Sequence, residues 1–206
     1  IKKYIATETM EGENLYDAEQ YGKQEAIKGI RFLNLPPVLQ IQLKRFDYNA
    51  KSFQFQKIND SFTFDEELDL DALLEFDENA DKSIRNKYHL HSIVVHKGSV
   101  NSGHYYAFIR NHKDQWTCFN DTNVSICNKE YAFEMGVGGG SYEFKLIDEN
   151  GNQTLYEKRK FDNLNAYMLI YIREDQLKEI LAPFNKNEVP QEIAQIFSEE
   201  KKKYDK

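Results

Sequence analysis

A histidine at the start of a β-rich run is the residue best placed to do chemistry in this chain. His104 directly follows Gly103, and the glycine leaves room on one side of the imidazole for a nucleophile. A histidine so placed suits a general base. Such a base also needs a third group, an amide or a carboxylate on the adjacent strand, to fix its tautomer and ring direction. Asn120 and Asp121 are the candidates for that group.

Hairpin geometry indicates whether Asn120 or Asp121 can lie opposite His104. In an antiparallel pair, a turn centred near His112 or Lys113 places His104 opposite Asn120 or Asp121. Successive strand side chains point to opposite faces, so only one of the two can face the ring while the strand stays regular. A strand histidine beside a polar residue is also a common structural arrangement. The residues alone therefore leave both a structural and a catalytic role open for His104.

The elements that must hold these residues are predicted to be mainly strands. Apolar and polar residues alternate from Val38 to Phe46, which is the period of a half-buried strand. A mobile connection, Lys97–Gly103, is rich in glycine and small polar residues. The other predicted strands are Ser61–Phe64, Tyr88–Val95, His104–Arg110, Trp116–Phe119 and Asn165–Ile172.

Helices are predicted mainly near the two ends of the chain. A possible N-cap and a following Gly29 favour a short helix over Asp17–Lys28. Glu66–Glu75 reads as a helical turn, and the glycine run at Gly136 starts an irregular insertion that continues to about residue 163. Two short amphipathic helices follow Asp175. We therefore expect one domain over residues 1–174 and a helical linker over 175–206.

Composition limits the classes of function. The 206 residues are 40% hydrophobic and 14% aromatic, which is too apolar for a disordered chain. The net charge of -7 argues against a nucleic-acid-binding domain and suits a protein partner better. Nine Asp or Glu residues lie between Asp65 and Asp81, a run that is typical of a solvated face. No apolar run approaches the ~20 residues needed to cross a membrane, and none has the flanks of a signal peptide. We expect a soluble part of a longer nuclear or cytoplasmic protein.

Three ordered motifs resemble the ubiquitin-specific proteases. The first is the run from Leu35 to Phe46, and the second is Gly103–Tyr106 followed by Trp116 and then Phe119–Val124. The third is Asn165–Tyr171, which is similar to the closing strand of these enzymes. Together they span nearly the whole chain. The segments around Tyr16–Gly29 and Lys57–Asp60 are similar to the herpesvirus-associated branch of the family.

The resemblance implies a fold and a reaction. The fold would be α+β, of the papain-like type found in this family, with a mainly antiparallel palm and fingers sheet. The helical thumb that bears the nucleophilic cysteine would lie upstream of this chain. The enzyme would cleave the isopeptide or peptide bond after the C-terminal glycine of ubiquitin. The implied partners are ubiquitin, ubiquitinated proteins and the thumb segment of the same protein.

The resemblance also implies roles for individual residues. His104 matches the family's base, Asn120 its orienting residue, and Asp121 the adjacent polar position that supports the reaction. The expected channel for ubiquitin's tail is framed by the loops Tyr48–Gln56 and Lys97–Gly103. Its wall is expected to include Arg45, Phe46, His96, Gly103, Tyr105 and Tyr167.

No metal or other cofactor is expected. Zinc-bearing members carry a Cys-x-x-Cys pair where this chain has Ala18 and Tyr21, so that site would be lost. Cys118 alternates with a core face, and a free cysteine in such a place usually behaves as a small apolar residue. Neither Cys118 nor Cys127 has the sequence context of the nucleophile.

A second function stays open at this point. A catalytically inactive ubiquitin-binding or scaffold module could be built on the same fold. The presence of His104, Asn120 and Asp121 favours the enzyme, because a module without catalysis has no need of a base.

Overall fold

A seven-stranded antiparallel sheet forms the centre of the molecule. The computed structural model describes residues 1–74, 78–79, 82–139, 141–147, 153–159, 163–183 and 189–204, and residues 141–147 and 153–159 are described by their backbone. The strands are β1 (Glu8–Met10), β2 (Tyr16–Asp17), β3 (Lys23–Gln24), β4 (Ala26–Lys28), β5 (Val38–Gln42), β6 (Phe46–Asn49), β7 (Gln54–Lys57), β8 (Glu67–Asp69), β9 (Lys87–Gly98), β10 (Gly103–Arg110), β11 (Trp116–Asn120), β12 (Asn123–Cys127), β13 (Ser141–Ile147), β14 (Gln153–Arg159) and β15 (Leu164–Arg173). The α-helices are α1 (Lys129–Val137), α2 (Leu177–Ile180) and α3 (Gln191–Tyr204).

The order of strands in the sheet is β12-β11-β10-β9-β15-β5, and β8 pairs with the first part of β9. The two long central strands, β9 and β15, are rich in Val, Ile, Leu and Tyr, as expected for strands with neighbours on both sides. Short hairpins join β9 to β10, β10 to β11 and β11 to β12. The connections between β9 and β10 and between β11 and β12 therefore lie at the same end of the sheet.

The core lies between one face of this sheet and α1. The Asn128 side chain accepts a hydrogen bond of 2.8 Å from the Tyr131 backbone N–H and caps the helix. Tyr131 and Phe133 of α1 then pack edge-to-face against Phe108 and Trp116 of the sheet, with ring centroids 5.8 and 6.0 Å apart. The helix thus fixes β10 and β11 relative to each other.

The strand predictions around the candidate base are confirmed. Tyr88–Val95, His104–Arg110, Trp116–Phe119 and Asn165–Ile172 all lie in strands of the central sheet. The run from Val38 to Phe46 holds β5 and the start of β6. Ser61–Phe64 is not a strand, and the acidic stretch after it holds β8 and a 3₁₀ turn at Asp71–Leu73. Positions 75–77 and 80–81 of the acidic stretch lie outside the described residues.

The helix predicted over Asp17–Lys28 is wrong. The segment instead forms a 3₁₀ turn at Glu19–Tyr21 and strands β3 and β4, which pair back with β2 and β1. Gly22 adopts φ +68, a left-handed conformation that stops a helix. The Asp17 carboxylate accepts a hydrogen bond from the Glu19 N–H, which stabilises a turn instead.

The irregular insertion predicted after Gly136 is wrong in its described part. Gly136 is still within α1, which ends at Gly138 with φ +72. An antiparallel hairpin of β13 and β14 follows. Positions 140, 148–152 and 160–162 of this stretch lie outside the described residues.

The two short helices predicted after Asp175 are confirmed as α2 and α3. The 184–188 part of the predicted interruption lies outside the described residues. Within the described chain, no helix is long and apolar enough to cross a membrane.

Candidate active site

His104 and Asn120 meet at the end of β10 and β11. The Asn120 Oδ1 lies 2.5 Å from the His104 Nε2. An amide oxygen can only accept, so Nε2 carries the proton in this contact and donates it to Asn120. The other ring nitrogen, Nδ1, is then free to take a proton from a nucleophile. This is the arrangement that a general base and its orienting group require.

The strand pairing of β10 with β11 differs slightly from the expected one. β10 and β11 pair Ala107 with Phe119 and Arg110 with Trp116. Continuing that register would place His104 opposite Thr122 rather than Asn120 or Asp121. Asn120 shares the face of His104 by alternation, and its side chain reaches the ring diagonally.

Asp121 lies close to the same ring from the turn between β11 and β12. Its Oδ2 is 3.8 Å from His104 Nε2, and its side chain is 76% exposed. The backbone at Asp121 has φ +51, so it has left the extended conformation of β11. Both candidates can therefore approach the histidine at once, because the strand ends between them.

Neighbouring side chains support the ring and leave it accessible. Tyr106 stacks beside His104, with ring centroids 6.0 Å apart and planes 25° apart. Burial raises the pKa of Tyr106 to about 12, so its hydroxyl stays protonated at neutral pH. The His104 side chain is itself 42% exposed, and a reacting group can approach it.

Four of the predicted channel residues form an aromatic cluster beside this end of the sheet. His96 contacts Tyr105 and Phe46 at centroid distances of 4.6 and 5.4 Å. Tyr167 lies 5.4 Å from Tyr105 and 6.2 Å from Phe46. Burial, and then the charge of Lys57, lower the pKa of His96, which favours its neutral form. The cluster offers an apolar, uncharged surface to a ligand.

A bulge in β15 places Tyr167 in this cluster. The pairing of β15 with β9 skips a residue between Ala166 and Met168, and Tyr167 is the extra residue. Bulges redirect a side chain relative to the regular alternation. The Tyr167 hydroxyl accepts a hydrogen bond of 2.8 Å from the Gln42 side-chain amide, which fixes the ring.

Gly103 packs directly against His96. A Cβ built on Gly103 would lie 2.1 Å from His96 Nε2 and 2.8 Å from the Lys97 carbonyl oxygen. A side chain at this position would displace the imidazole of His96. Because Gly103 has no side chain, the backbone just before His104 can pass close to the ring of His96.

Arg45 is almost completely buried, although it lines a surface cavity together with Phe46 and Tyr167. It is 4% exposed, and its guanidinium donates to backbone carbonyls of Ala166 at 2.9 Å, Asp60 at 2.7 Å and Ile58 at 3.4 Å. These bonds tie the start of β6 to the bulge in β15. Arg45 lies beneath the aromatic cluster and braces it.

The loops expected to frame the channel also lie near the cluster. The first, Tyr48–Gln56, comprises the turn of the hairpin β6–β7 and the strand residues next to it, with Phe53 and Phe55 exposed. The second connects β9 to β10, and its Ser99 N–H donates to the Ser102 carbonyl at 2.8 Å.

Neither cysteine is placed to act as a nucleophile at His104. Cys118 faces Phe108 across β10 and β11, four residues along the strand from His104. Burial raises the pKa of both Cys118 and Cys127, which disfavours their thiolates. Within the described residues, no group of three His, Cys, Asp or Glu side chains has the geometry of a metal site.

Sequence reasoning gave no role to Lys57, which the structure places beside this site. Its ammonium donates to three backbone carbonyls near the ends of β9 and β15. Carbonyl groups are present at every residue, so nothing in the sequence pattern identifies the ones that Lys57 binds.

Comparisons with known proteins show which family the chain belongs to. Residues 2–171 match the family model described as "Ubiquitin carboxyl-terminal hydrolase". The chain is 41% identical over 211 residues to ubiquitin C-terminal hydrolase 12 of Arabidopsis thaliana, covering 99% of this chain and 18% of that protein. It is 37% identical over 210 residues to ubiquitin carboxyl-terminal hydrolase 15 of Saccharomyces cerevisiae, covering 96% of this chain and 17% of that one. The chain thus spans less than a fifth of these curated relatives.

A solved structure is also similar. A chain of the SAGA DUB module containing Ubp8, Sgf11, Sus1 and Sgf73 matches with a TM-score of 0.58 and 28% identity. The match covers 84% of this chain and 32% of that chain. The α+β fold with its antiparallel sheet is therefore that of the ubiquitin-specific type. With the family model matching 170 consecutive positions and relatives of up to 41% identity among those compared, the chain belongs to the ubiquitin carboxyl-terminal hydrolase family.

Proposed function

We propose that this chain is part of a deubiquitinating thiol hydrolase. The complete enzyme cleaves the isopeptide or peptide bond that follows the C-terminal glycine of ubiquitin. This chain supplies the general base and its orienting residue, and the nucleophilic cysteine comes from a thumb segment outside the chain. Its partners are ubiquitin and ubiquitinated proteins, in the nucleus or the cytoplasm.

The contact between His104 and Asn120 is the observation that carries this proposal. The Asn120 oxygen engages Nε2 and leaves Nδ1 free, so the ring is prepared to accept a thiol proton. After the thiolate attacks the glycine carbonyl, the same nitrogen returns the proton to the leaving amine. Asp121 lies near enough to act on the ring or on a water molecule beside it.

The aromatic cluster supports a role in binding ubiquitin's tail. Phe46, Tyr105 and Tyr167 present partly exposed rings beside His104, and Gly103 keeps the backbone close beneath them. An extended peptide that ends in small residues can lie across such a surface and bring its last carbonyl to the base.

We also propose that the protein belongs to the herpesvirus-associated branch of the family. The segments around Tyr16–Gly29 and Lys57–Asp60 support this, as does the helical segment after Asp175. Residues 1–174 would then form the fingers and palm, and residues 175–206 a linker to the next part of the protein.

The decisive experiment replaces His104 in the complete protein. His104→Ala should lower turnover of a fluorogenic C-terminal amide of ubiquitin by ~10²-fold or more, because proton transfer contributes about that much. Ubiquitin binding, measured by calorimetry, should stay within about threefold of that of the unchanged protein. His112→Ala, at an exposed turn position of the β10–β11 hairpin, is the matched control.

Two outcomes would contradict the proposal. Full activity of the His104→Ala protein would show that the base has been misassigned. Tight ubiquitin binding without any turnover in the unchanged complete protein would favour the inactive binding or scaffold module instead.

A further inference from the structure

The ammonium of Lys57 lies among backbone carbonyls at the catalytic end of the sheet. Its Nζ donates to the carbonyl oxygens of Asn163 at 2.6 Å, His96 at 2.9 Å and Gly98 at 3.2 Å. An ammonium has three N–H donors, so these three acceptors use all of them. A neutral amine, an amide or a methyl group could not make the same set of bonds.

The three carbonyls belong to the backbone that holds the candidate base. His96 and Gly98 flank Lys97, and Lys97 is the residue of β9 that pairs with His104 of β10. Gly98 itself pairs with Gly103 and closes the loop between the two strands. The backbone opposite His104 is therefore held on both sides by one side chain.

The third carbonyl connects this backbone to β15. The Asn163 oxygen accepts from Lys57 Nζ and also from the Gly98 N–H at 3.0 Å. Lys57 is the last residue of β7 and pairs with Phe46 of the aromatic cluster. One ammonium thus joins the hairpin β6–β7, the end of β9 and the start of β15, which are the elements that frame the expected tail channel.

We propose that Lys57 is a positioning residue, whose charged ammonium fixes the backbone opposite His104 and the loop Lys97–Gly103 for the reaction. The inference rests on the proposed function, in which His104 is the base. Lys57 does not touch His104 in this role. It acts through the carbonyls of His96 and Gly98 and the strand pairing between β9 and β10.

The role depends on the charge state of Lys57. Burial, and then the charge of Arg45, lower the pKa of Lys57 from its usual value to about 8. Among the described residues, His96 is a further ionisable neighbour and its neutral form is favoured, while Asp60 lies against Arg45. A neutral Lys57 amine would have two N–H donors and a lone pair, so one carbonyl would lose its donor. The arrangement is therefore complete below about pH 8 and weakens as pH rises through that value.

The test compares three variants of the complete protein. Lys57→Met removes the charge and the donors, and Lys57→Arg keeps a charge that does not titrate. Lys113→Met changes an exposed lysine in the turn between β10 and β11, outside the proposed site, and serves as the matched control. For each protein, kcat and KM toward a fluorogenic C-terminal amide of ubiquitin are measured from pH 6 to pH 10.

We expect Lys57→Met to lower kcat by about tenfold to a hundredfold at pH 7, because a small misplacement of the base has effects of that size. Lys57→Arg should recover most of this loss and should keep a larger fraction of its activity at pH 9 than the unchanged protein. A purely stabilising lysine would leave the pH profile unchanged. Unchanged alkaline loss in Lys57→Arg, or a kcat of Lys57→Met equal to that of the Lys113→Met control, would overturn the inference.

Amide hydrogen exchange provides a readout that does not need catalysis. In Lys57→Met, exchange should become faster in a peptide covering residues 96–106, while a peptide covering β8 should be unchanged. Lys57→Arg should lie between this variant and the unchanged protein. Equal exchange in all three proteins would overturn the inference, whether or not the complete protein is active. A lack of turnover by the complete protein would count against the proposed function and not against the role of Lys57.

Discussion

Asn120 offers His104 a neutral hydrogen-bond partner. An amide oxygen fixes the ring tautomer, yet it carries no full negative charge to stabilise the imidazolium formed during the reaction. The carboxylate of Asp121 lies 3.8 Å from the same nitrogen and can supply part of that stabilisation. In the proposed mechanism, Asn120 would orient the ring and Asp121 would help to stabilise the imidazolium, two roles that a single aspartate has in other triads.

Separate substitutions of Asn120 and Asp121 should have different effects. In the complete enzyme, Asn120→Ala should lower kcat by about 10²-fold, because the ring loses the group that fixes its orientation. Asp121→Ala should lower kcat less. Steady-state kinetics on a ubiquitin C-terminal amide would measure both, with Asn123→Ala on the far side of the turn as the control. A harmless Asn120→Ala beside a damaging Asp121→Ala would reverse the assignment.

At the level of single residues, the sequence could predict the contact but not its geometry. Hairpin geometry left Asn120 and Asp121 as alternatives, the family resemblance favoured Asn120, and the structure places Asn120 against the His104 ring. The contribution of Asp121 depends on where β11 ends, and the position of Tyr167 depends on a bulge that no residue pattern announces. The burial of Arg45 could not be predicted, because a motif does not indicate whether a cation faces a ligand or backbone carbonyls.

At the level of elements, the hairpin β9–β10 is the part that most directly presents the base. Two of its glycines are needed for different reasons. Gly98 has φ +132, a conformation that other residues rarely adopt, and Gly103 makes room for the ring of His96. The hairpin therefore depends on the close approach of the Gly103 backbone to the ring of His96.

Gly103→Ala should test that close approach. The added methyl would overlap His96 Nε2, and we expect the free energy of unfolding to fall by about 1–3 kcal/mol, as for other overpacked sites. Urea denaturation of the complete protein would measure the loss, and Ser102→Ala in the same loop is the control. Adding His96→Ala should recover part of the loss, since the ring is the nearest clashing group. Equal stability of Gly103→Ala and the control would contradict this packing.

Element predictions succeeded where alternation was strong and failed where local signals competed. The strands β9, β10, β11 and β15 carry clear apolar patterns and were predicted correctly. At Asp17–Lys28 helix-forming residues were outweighed by Gly22 and by strand pairing with residues 8–17. The glycine run from Gly136 led to the prediction of an irregular insertion there. A glycine just after a run of helix-forming residues also marks a helix end, and Gly138 caps α1.

At the level of the whole molecule, neither of the two cysteines of the chain lies next to the proposed base, His104. Cys118 faces Phe108, which lies about 13 Å along β10 from His104 at the usual rise of a strand. Cys127 pairs with Trp116 and lies farther from that end. Because burial raises the pKa of both thiols, neither is prepared to attack a carbonyl.

The 206-residue chain on its own should therefore show no hydrolysis of ubiquitin conjugates. A base and its orienting residue cannot form the acyl intermediate without a thiolate within reach. The measurement is release of a fluorogenic C-terminal amide from ubiquitin, together with a cooperative unfolding transition that shows the chain is folded. The complete protein is the positive control. Turnover by the isolated chain that is lost on Cys118→Ser or Cys127→Ser would mean that one of these thiols reaches His104, and would place the nucleophile inside this chain instead of in the thumb.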